Sequence, residues 1–324
     1  MLQEQIFNIK SPLDFEEAAL AVFSYQYEHV SVYRKFCELL NVNRATVSKI
    51  EEIPFLPIAF FKSHAILSNE KKTQTLFTSS GTTGSITSKH HVADVSLYEK
   101  SFLNGFEQVY GKPENLNVLA LLPSYLEREG ASLVYMVDRL IKDSKSEHSG
   151  FYLDESEKLI EKLLLLEKSD KKTLLIGVSY ALLDLIETKK FQLKNTMIME
   201  TGGMKGRRRE MVKEELHATL RNGFGVTHIH SEYGMTELLS QAYSTKQGDF
   251  ACPPWMKVLT RDTEDALTLI TKKTGGINVI DLANIYSCSF IATQDLGRLN
   301  PNGSFKILGR FDNSDIRGCN LMVL

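Results

Sequence analysis

The chain has 324 residues, which is long enough to bury a substantial hydrophobic core in one large domain or in two. Hydrophobic residues make up 43% of the sequence and charged residues 24%, and the formal net charge of −2 gives no general basic excess that would favour a nucleic-acid partner. Glu4 lies where a signal peptide would need a basic start, and no apolar stretch approaches the roughly 20 residues of a membrane span.

The first part of the chain is predicted to be helical. Ser11 and Pro12 form a capping signal with proline at the first helical position, and apolar residues then recur at helical spacing over residues 15–23. A second helix is predicted over residues 32–40. The two prolines within residues 53–57 interrupt regular structure.

From residue 75 onward, predicted strands and helices alternate along the chain. Such alternation is typical of a mostly parallel sheet covered by helices, and the apolar strands suit burial on both faces. We therefore expect an α/β fold. The predicted strands are 76–78, 118–122, 173–176, 196–199 and 226–229, and the predicted helices are 95–110, 131–142, 155–167, 180–190 and 208–221.

After about residue 250 the pattern changes to short strands joined by turns such as Gly275-Gly276. This pattern predicts an antiparallel unit appended to the parallel one. We expect residues 1–250 to form a helical entry segment and an α/β core, and residues 251–324 to form an antiparallel β subdomain of the same unit. The short strands are predicted at 256–260, 266–271, 277–282 and 288–292.

A polar, glycine-containing segment directly follows the predicted strand at 76–78. It reads Thr78-Ser79-Ser80-Gly81-Thr82-Thr83-Gly84-Ser85, so hydroxyls and backbone N–H groups converge without bulky side chains. Polyphosphates need such a surface, because their oxygens accept many hydrogen bonds and require close backbone approach. The spacing is not that of a Walker loop. The same residues also suit an ordinary surface turn.

A second segment, Ser231-Glu232-Tyr233-Gly234-Met235-Thr236-Glu237, follows the strand predicted near 226–230. The Tyr233 ring is suited to a flat base, and Thr236 to a phosphate. Glu237 is suited to Mg²⁺, which prefers carboxylate and phosphate oxygens. Alone, the segment is equally consistent with a strand-to-helix turn that contains a capping residue.

A third segment runs from Thr293 to Arg298 and is followed by Gly309-Arg310-Phe311-Asp312. Asp295, at the end of a predicted strand, is suited to accept hydrogen bonds from both hydroxyls of a ribose, and Arg310 to approach the same sugar or a phosphate. Alone, this segment also fits a pair of hairpins with glycine turns.

Together and in this order, the three segments resemble the motif series of the adenylate-forming superfamily, which includes acyl-CoA ligases, luciferases and the adenylation domains of peptide synthetases. The resemblance runs from about residue 50 to the last residue. It implies the large N-terminal domain of that fold, with mostly parallel sheets flanked by helices and a C-terminal antiparallel β subdomain. It also implies ATP and Mg²⁺ as ligands. The implied phosphate-binding residues are Ser79, Ser80, Gly81, Thr82, Thr83, Gly84 and Lys89. The implied adenine- and ribose-binding residues are Gly202, Gly203, Met204, Glu232, Tyr233, Gly234, Met235, Asp295 and Arg310. The implied catalytic residues are Thr236, Glu237, which is also the implied metal ligand, and Cys319.

The sequence departs from the superfamily pattern in two ways. Lys89 is displaced by about two positions from the lysine that usually follows the phosphate loop. The sequence also ends at Leu324, where most members begin a small mobile domain that supplies a lysine for adenylation.

Within the superfamily, the chain resembles the acyl-protein synthetases of the bacterial luminescence fatty-acid reductase, and also phenylacetate-CoA ligases. The first of these branches carries its acyl group on a cysteine near its carboxyl terminus, the position that Cys319 occupies here. A thiolate is a good nucleophile toward an acyl-adenylate. The alternative is that Cys319 is a small apolar residue in a terminal strand. The four cysteines, at 37, 252, 288 and 319, show no paired spacing, which favours reduced thiols and a cytoplasmic location.

Three hypotheses for function follow. The first is an ATP-dependent acyl-protein synthetase that activates a carboxylic acid, preferably a fatty acid, and transfers it to Cys319. The second is adenylation with coenzyme A or a carrier protein as acceptor. The third is a non-catalytic nucleotide- or acyl-binding subunit, which the missing small domain motivates. The expected partners are ATP, a small carboxylic acid and an acyl-accepting or acyl-donating protein.

Overall fold

The computed structural model describes residues 2–79, 86–123, 130–153, 155–204, 207–209 and 211–311. Among these residues, no helix is both long and apolar enough to cross a membrane. The helices are α1 (Leu2–Phe7), α2 (Pro12–His29), α3 (Ser31–Leu39), α4 (Phe60–Ser63), α5 (Val95–Tyr110), α6 (Ser132–Ser144), α7 (Ser156–Leu166), α8 (Ser179–Thr188) and α9 (Lys213–Phe224). The strands are β1 (Leu56–Pro57), β2 (Thr75–Thr78), β3 (Lys89–Val92), β4 (Leu116–Leu121), β5 (Gly150–Phe151), β6 (Lys172–Val178), β7 (Thr196–Thr201), β8 (His230–Tyr233), β9 (Ala242–Ser244), β10 (Met256–Arg261), β11 (Leu269–Ile270), β12 (Gly275–Asp281), β13 (Phe290–Leu299) and β14 (Phe305–Arg310).

The predicted parallel sheet is confirmed. Its strand order is β5-β4-β6-β7-β8-β9, and all neighbours are parallel except β8 and β9. All six residues of β4 are buried, as expected for a strand covered on both faces. In such sheets ligands bind beyond the carboxyl ends of the strands. The segments that follow β7 and β8 therefore lie at the edge where a ligand site is expected.

The predicted antiparallel unit is also confirmed as a sheet. Its order is β1-β13-β12-β10-β11, with β14 paired to β13, and the short strand β1 joins it in parallel with β13. The prediction of a turn at Gly275-Gly276 is wrong, because both glycines lie within β12. The guanidinium of Arg261 crosses this position, and a Cβ atom on Gly276 would lie 2.6 Å from its central carbon. Glycine is needed here for close packing and not for a turn.

The predicted amino-terminal helices are present. Ser11 and Asp14 form a reciprocal capping box at the start of α2, with Asp14 N donating to Ser11 Oγ at 3.1 Å. Farther along α2, the buried Gln26 accepts from Ser289 N at 3.0 Å and donates to Asn284 O at 3.0 Å. This side chain joins α2 to the connection between β12 and β13.

Two predicted boundaries near the second motif are wrong. The helix predicted over 208–221 is α9, and the strand predicted over 226–229 is β8, so both begin several residues later. Gly225 ends α9 in the left-handed region at φ 69°, and both Gly225 N and Val226 N donate to Arg221 O. Val226, the first residue of the predicted strand, therefore takes part in ending the helix. As a result, Glu232 and Tyr233 lie in β8 itself, and residues 234–237 follow it.

Candidate active site

A cleft of about 1050 Å³ lies at the carboxyl ends of β6, β7 and β8, facing β13 and β14. Residues from all three predicted motifs line it, although the motifs are far apart in the sequence. The structure therefore brings into one cleft three segments that the sequence relates only by their order along the chain. The predicted site residues that line this cleft are Ser79, Gly202, Gly203, Met204, Glu232, Tyr233, Gly234, Met235, Thr236, Glu237, Asp295 and Arg310.

Some predicted site residues lie elsewhere or outside the described part of the chain. Ser80, Gly81, Thr82, Thr83, Gly84 and Cys319 are outside the described residues. Lys89 is exposed at the start of β3, opposite Thr78, and does not line the cleft. Two other lysines do line it, Lys62 on α4 and Lys213 on α9.

Asp295 is held at one wall of the cleft by two donors. Tyr233 Oη donates to Asp295 Oδ2 at 2.8 Å, and Arg310 Nε lies 3.1 Å from Asp295 Oδ1. Burial and the Asp295 carboxylate raise the pKa of Tyr233 well above its usual value, so this phenol stays a donor. The result is an oriented carboxylate, 7% exposed, at the edge of the cleft. Such a carboxylate can accept further hydrogen bonds from a ligand.

The turn that carries Thr236 and Glu237 is fixed by two buried side chains from other parts of the chain. His90 Nδ1 lies 2.8 Å from Thr236 O, and His90 Nε2 lies 3.0 Å from Asn284 Oδ1. Asn284 Nδ2 in turn donates to Glu237 O at 2.8 Å. Burial lowers the pKa of His90 to about 4, so the ring is neutral at physiological pH. These contacts set the backbone of the turn.

Glu237 is 5% exposed and lines the cleft. Burial raises its pKa, and a hydrogen bond from Ser88 and the positive charges of Arg310 and Lys62 oppose that effect. A bound divalent cation would favour the ionised form. Across the described ranges, no three His, Cys, Asp or Glu side chains form a metal-binding group. The donor set fits Mg²⁺ in the mode that uses one carboxylate together with phosphate oxygens and water.

The residues just beyond this turn are anchored by Asp281. Leu239 N and Ser240 N donate to Asp281 Oδ2 at 2.7 and 2.9 Å. The Ser240 hydroxyl also donates to the Asp281 carboxylate and accepts from Trp255 Nε1 at 3.1 Å. Burial raises the pKa of Asp281 to about 6, and the hydrogen bonds from Ser240 and Leu239 oppose the shift. The loop from β8 to β9 is therefore pinned to the antiparallel sheet.

An ion pair between the buried Glu200 and the half-buried Lys213 lies at the carboxyl end of β7, and both residues line the cleft. Lys213 Nζ is 2.5 Å from Glu200 Oε1, and Ser179 Oγ donates to Glu200 Oε2 at 3.2 Å. Burial alone would raise the pKa of Glu200, but Lys213 and hydrogen bonds from His217 and Ser231 outweigh it and lower the pKa to about 2. Glu200 is therefore ionised and paired.

Beside this pair, Glu232 on β8 is 8% exposed. Its Oε2 accepts from Thr201 Oγ1 at 2.5 Å. Burial raises the pKa of Glu232 to about 7, and the Glu200 carboxylate adds to the effect. The two neighbouring carboxylates thus differ widely in pKa because only Glu200 has a lysine partner.

The sequence profile of the family described as LuxE, acyl-protein synthetase, matches residues 5–324. The chain belongs to the LuxE acyl-protein synthetase family. This membership confirms the predicted resemblance and the predicted class of activity, which is activation of a carboxylic acid by an adenylate-forming ligase.

Two similar proteins are named as long-chain-fatty-acid ligases. A long-chain-fatty-acid–luciferin-component ligase from Vibrio harveyi is 22% identical over 328 residues, which cover 92% of this chain and 84% of that protein. A ligase with the same name from Photorhabdus luminescens is 36% identical over 70 residues, which cover 21% of this chain and 60% of that protein. The Vibrio harveyi alignment extends over nearly the whole chain.

Solved structures of adenylate-forming ligases share the fold. An open conformation of 2-hydroxyisobutyryl-CoA ligase, in complex with 2-HIB-AMP and CoA, gives a TM-score of 0.68 at 13% identity and covers 94% of this chain and 72% of that one. ATP-bound MatB from Rhodopseudomonas palustris gives 0.55 at 16% identity and covers 72% of this chain and 47% of that one. These likenesses confirm the predicted fold class.

Sequence reasoning missed several residues that line this LuxE-family cleft or support its turns. His90 was not predicted to be functional, since a histidine pair beside a short strand carries no spacing signal. Glu200 had a usable signal, because it is a lone carboxylate near the end of an apolar strand that precedes Gly202-Gly203. Lys62 and Lys213 had none, because only the fold brings them to the cleft.

Proposed function

We propose that this protein activates a carboxylic acid with ATP as an acyl-adenylate and then transfers the acyl group to a thiol, its own Cys319. The observation that carries the proposal is the convergence of three motif segments, far apart in sequence, on one cleft. The names of the relatives from Vibrio harveyi and Photorhabdus luminescens favour a fatty acid as the substrate class.

The nucleotide would occupy the wall formed by Asp295, Tyr233 and the glycine segment at 202–203. Asp295 uses one lone pair on each oxygen for Tyr233 and Arg310, so its remaining lone pairs are free to accept from ribose hydroxyls. Gly202 takes a left-handed φ of 67° and has no side chain, which allows a base to approach the backbone after β7.

The triphosphate would lie between Ser79 and the turn at 236–237. Ser80 to Gly84, which follow Ser79 directly, would supply further backbone donors. Glu237 would hold Mg²⁺, which supplies positive charge to the phosphate oxygens. Lys62 also lines the cleft, and its positive charge lowers the pKa of Glu237. Lys62 is therefore suited to the phosphate-binding role that the resemblance implies for Lys89.

The chemistry has two displacement steps. A carboxylate oxygen of the acid attacks the α-phosphorus of ATP, a new P–O bond forms, and the bond to the bridging oxygen breaks to release pyrophosphate. The Cys319 thiolate then attacks the acyl carbonyl carbon, and the C–O bond to AMP breaks to leave a thioester. The three described cysteines are poor nucleophiles, because burial raises the pKa of each of them: Cys37, Cys252 and Cys288.

The first step is tested by acid-dependent exchange of labelled pyrophosphate into ATP, measured across a library of carboxylic acids. We expect exchange with at least one acid, and a loss of about 100-fold or more in Glu237→Gln, since a ligand to the phosphate-bound cation is removed. Glu157→Gln, on the exposed face of α7, is the matched control and should exchange normally. ATP binding without exchange for any acid would instead support a non-catalytic subunit.

The second step is tested by intact-mass measurement after incubation with ATP, Mg²⁺ and the acid that supports exchange. We expect one acyl adduct on the wild type and on Cys252→Ser, and none on Cys319→Ser. An equal adduct on Cys319→Ser would contradict the assignment of the thiol. If the Cys319→Ser variant still forms a thioester on coenzyme A, the result would support coenzyme A, and not Cys319, as the acyl acceptor.

A further inference from the structure

The cleft has a second wall, on the side of β8 opposite Tyr233. Side chains alternate across a strand, so Glu232 and Tyr233 point to opposite faces of β8. Tyr233 reaches Asp295 on the antiparallel sheet, whereas Glu232 reaches Thr201 on β7. Both residues line the cleft. Glu232 therefore lies on the face of β8 opposite Tyr233 and Asp295, although the superfamily resemblance implies an adenine- or ribose-binding role for it.

The carboxylate of Glu232 has an oxygen that no described side chain or backbone group satisfies. Oε2 accepts from Thr201, but Oε1 has no hydrogen-bond partner among the residues that the structure describes. Lys213, the nearby cation, lies 2.5 Å from Glu200 and pairs with that residue. A buried carboxylate without its own cationic partner is unfavourable unless a donor reaches it.

Gln241 presents a second acceptor without a donor, on the same wall. Its side chain is 5% exposed, and its Oε1 is buried without a partner in the described part of the chain. Its proximity to Glu232 follows from Gly234: a Cβ atom there would lie 3.3 Å from Gln241 Cγ and 2.3 Å from Glu232 Oε1. Unpaired buried acceptors are rare in native proteins and often mark a place that a ligand fills.

The cleft also has apolar lining that is suited to an acyl chain. Met136 on α6, Leu216 on α9 and Tyr98 on α5 also line the cleft. Tyr98 Oη donates to Ser132 O at 2.9 Å, so its hydroxyl is already used and its ring supplies apolar surface. An apolar surface that ends in two oxygen acceptors fits a chain that carries a donor group.

We propose that Glu232 and Gln241 form a polar subsite that accepts hydrogen bonds from a hydroxyl or amino group on the acyl part of the acid. The inference rests on the proposed function and refines its substrate class, from an unsubstituted fatty acid to a hydroxylated or aminated one. A donor bound here pairs with Gln241 Oε1, which is buried without a partner in the described part of the chain, and can also reach Glu232 Oε1. An unsubstituted chain leaves the Gln241 oxygen unpaired and is disfavoured for that reason.

The pKa of Glu232 is consistent with this role. Burial raises it to about 7, so the carboxyl group is close to half ionised near neutral pH in the free protein. An ammonium or hydroxyl donor stabilises the ionised form. Binding of such an acid is therefore expected to release a proton from Glu232.

The test compares matched acids on the wild-type protein, with pyrophosphate exchange as the readout. The panel contains butyric, hexanoic, octanoic and dodecanoic acids together with their hydroxy and amino derivatives at successive carbons. We expect the best substituted acid to exceed its unsubstituted parent in kcat/KM by about 10-fold or more. A parent acid that equals or exceeds every derivative would overturn the inference and leave the proposed function intact. No exchange with any acid would count against the proposed function itself.

Variants then connect the preference to the two side chains. Glu232→Gln keeps the acceptor for Thr201 but removes the charge, and Gln241→Met removes the orphan oxygen at similar size. Each should reduce the ratio of kcat/KM between substituted and parent acid by about 10-fold, while Glu157→Gln keeps the ratio. An unchanged ratio in both folded variants would overturn the assignment. If a variant does not fold, the comparison of substituted and parent acids on the wild-type protein still tests the proposed subsite.

Discussion

Replacing Glu232 by glutamine is expected to change how the stability of the protein depends on pH. The Glu232 carboxyl group is 8% exposed, and its only hydrogen-bond partner among the described residues is Thr201. Burial raises its pKa to about 7, compared with an ordinary value of 4.5. Because the folded protein holds this proton more tightly than the unfolded chain, the group stabilises the fold fully below about pH 4.5. That stabilisation is lost as the pH rises through about 7.

The magnitude follows from the difference between the two pKa values. One pKa unit corresponds to about 1.4 kcal/mol, so the stabilisation lost over the whole range is about 3 kcal/mol. Glu232→Gln carries no titrating proton at this position. Relative to the wild type, the free energy of unfolding of the variant should therefore rise by about 2–3 kcal/mol between pH 5 and pH 8.

Urea unfolding at pH 5 and pH 8 provides the assay, since Trp255 is the single tryptophan of the sequence and is 2% exposed. Its fluorescence should report the loss of the core directly. Glu157→Gln, with an exposed carboxyl group on α7, serves as the control and should follow the wild type at both pH values. If the difference in unfolding free energy between wild type and Glu232→Gln is the same at pH 5 and pH 8, the argument for a buried, uncompensated carboxyl group is refuted.

Other substitutions test the supports of the site. His90→Leu leaves the Thr236 carbonyl unpaired and should lower the unfolding free energy by about 2–4 kcal/mol in urea, whereas the half-buried His91 is the control and His91→Leu should change it by less than about 1 kcal/mol. Asp281→Asn loses a charged acceptor of two backbone N–H groups, so we expect a loss of about 2–3 kcal/mol at pH 8, and an unchanged urea midpoint would contradict the anchoring role. Tyr233→Phe removes the hydrogen bond to Asp295 and should raise the KM for ATP in pyrophosphate exchange about 5–10-fold with little change in stability; an unaltered KM would separate this tyrosine from the nucleotide.

The parts of the site that could be predicted from the sequence are those carried by short, local patterns. Thr236, Glu237 and Asp295 lie in compact segments whose residue types and order are informative, and the structure brings these segments to one cleft. The apolar strands β4, β6 and β7 were likewise predictable, because continuous apolar runs are typical of buried parallel strands.

The parts that could not be predicted depend on contacts between distant segments. His90 meets Thr236 across 146 positions of sequence, and no local pattern encodes such a distance. Lys62, on α4, lines the cleft, while Lys89, nearer to the motif in sequence, does not. The boundary of β8 was misplaced because the helix-ending geometry at Gly225 outweighs the strand propensity of the residues that follow.

One cleft is proposed to bind the nucleotide and the acyl group on its two walls. A crystal structure with an acyl-sulfamoyl adenosine, a stable analogue of the acyl-adenylate, tests it most directly. We predict the ribose hydroxyls at Asp295, the base beside Tyr233 and the acyl group on the wall of Glu232 and Gln241. An analogue bound outside this cleft, or with its ribose away from Asp295, would contradict the account.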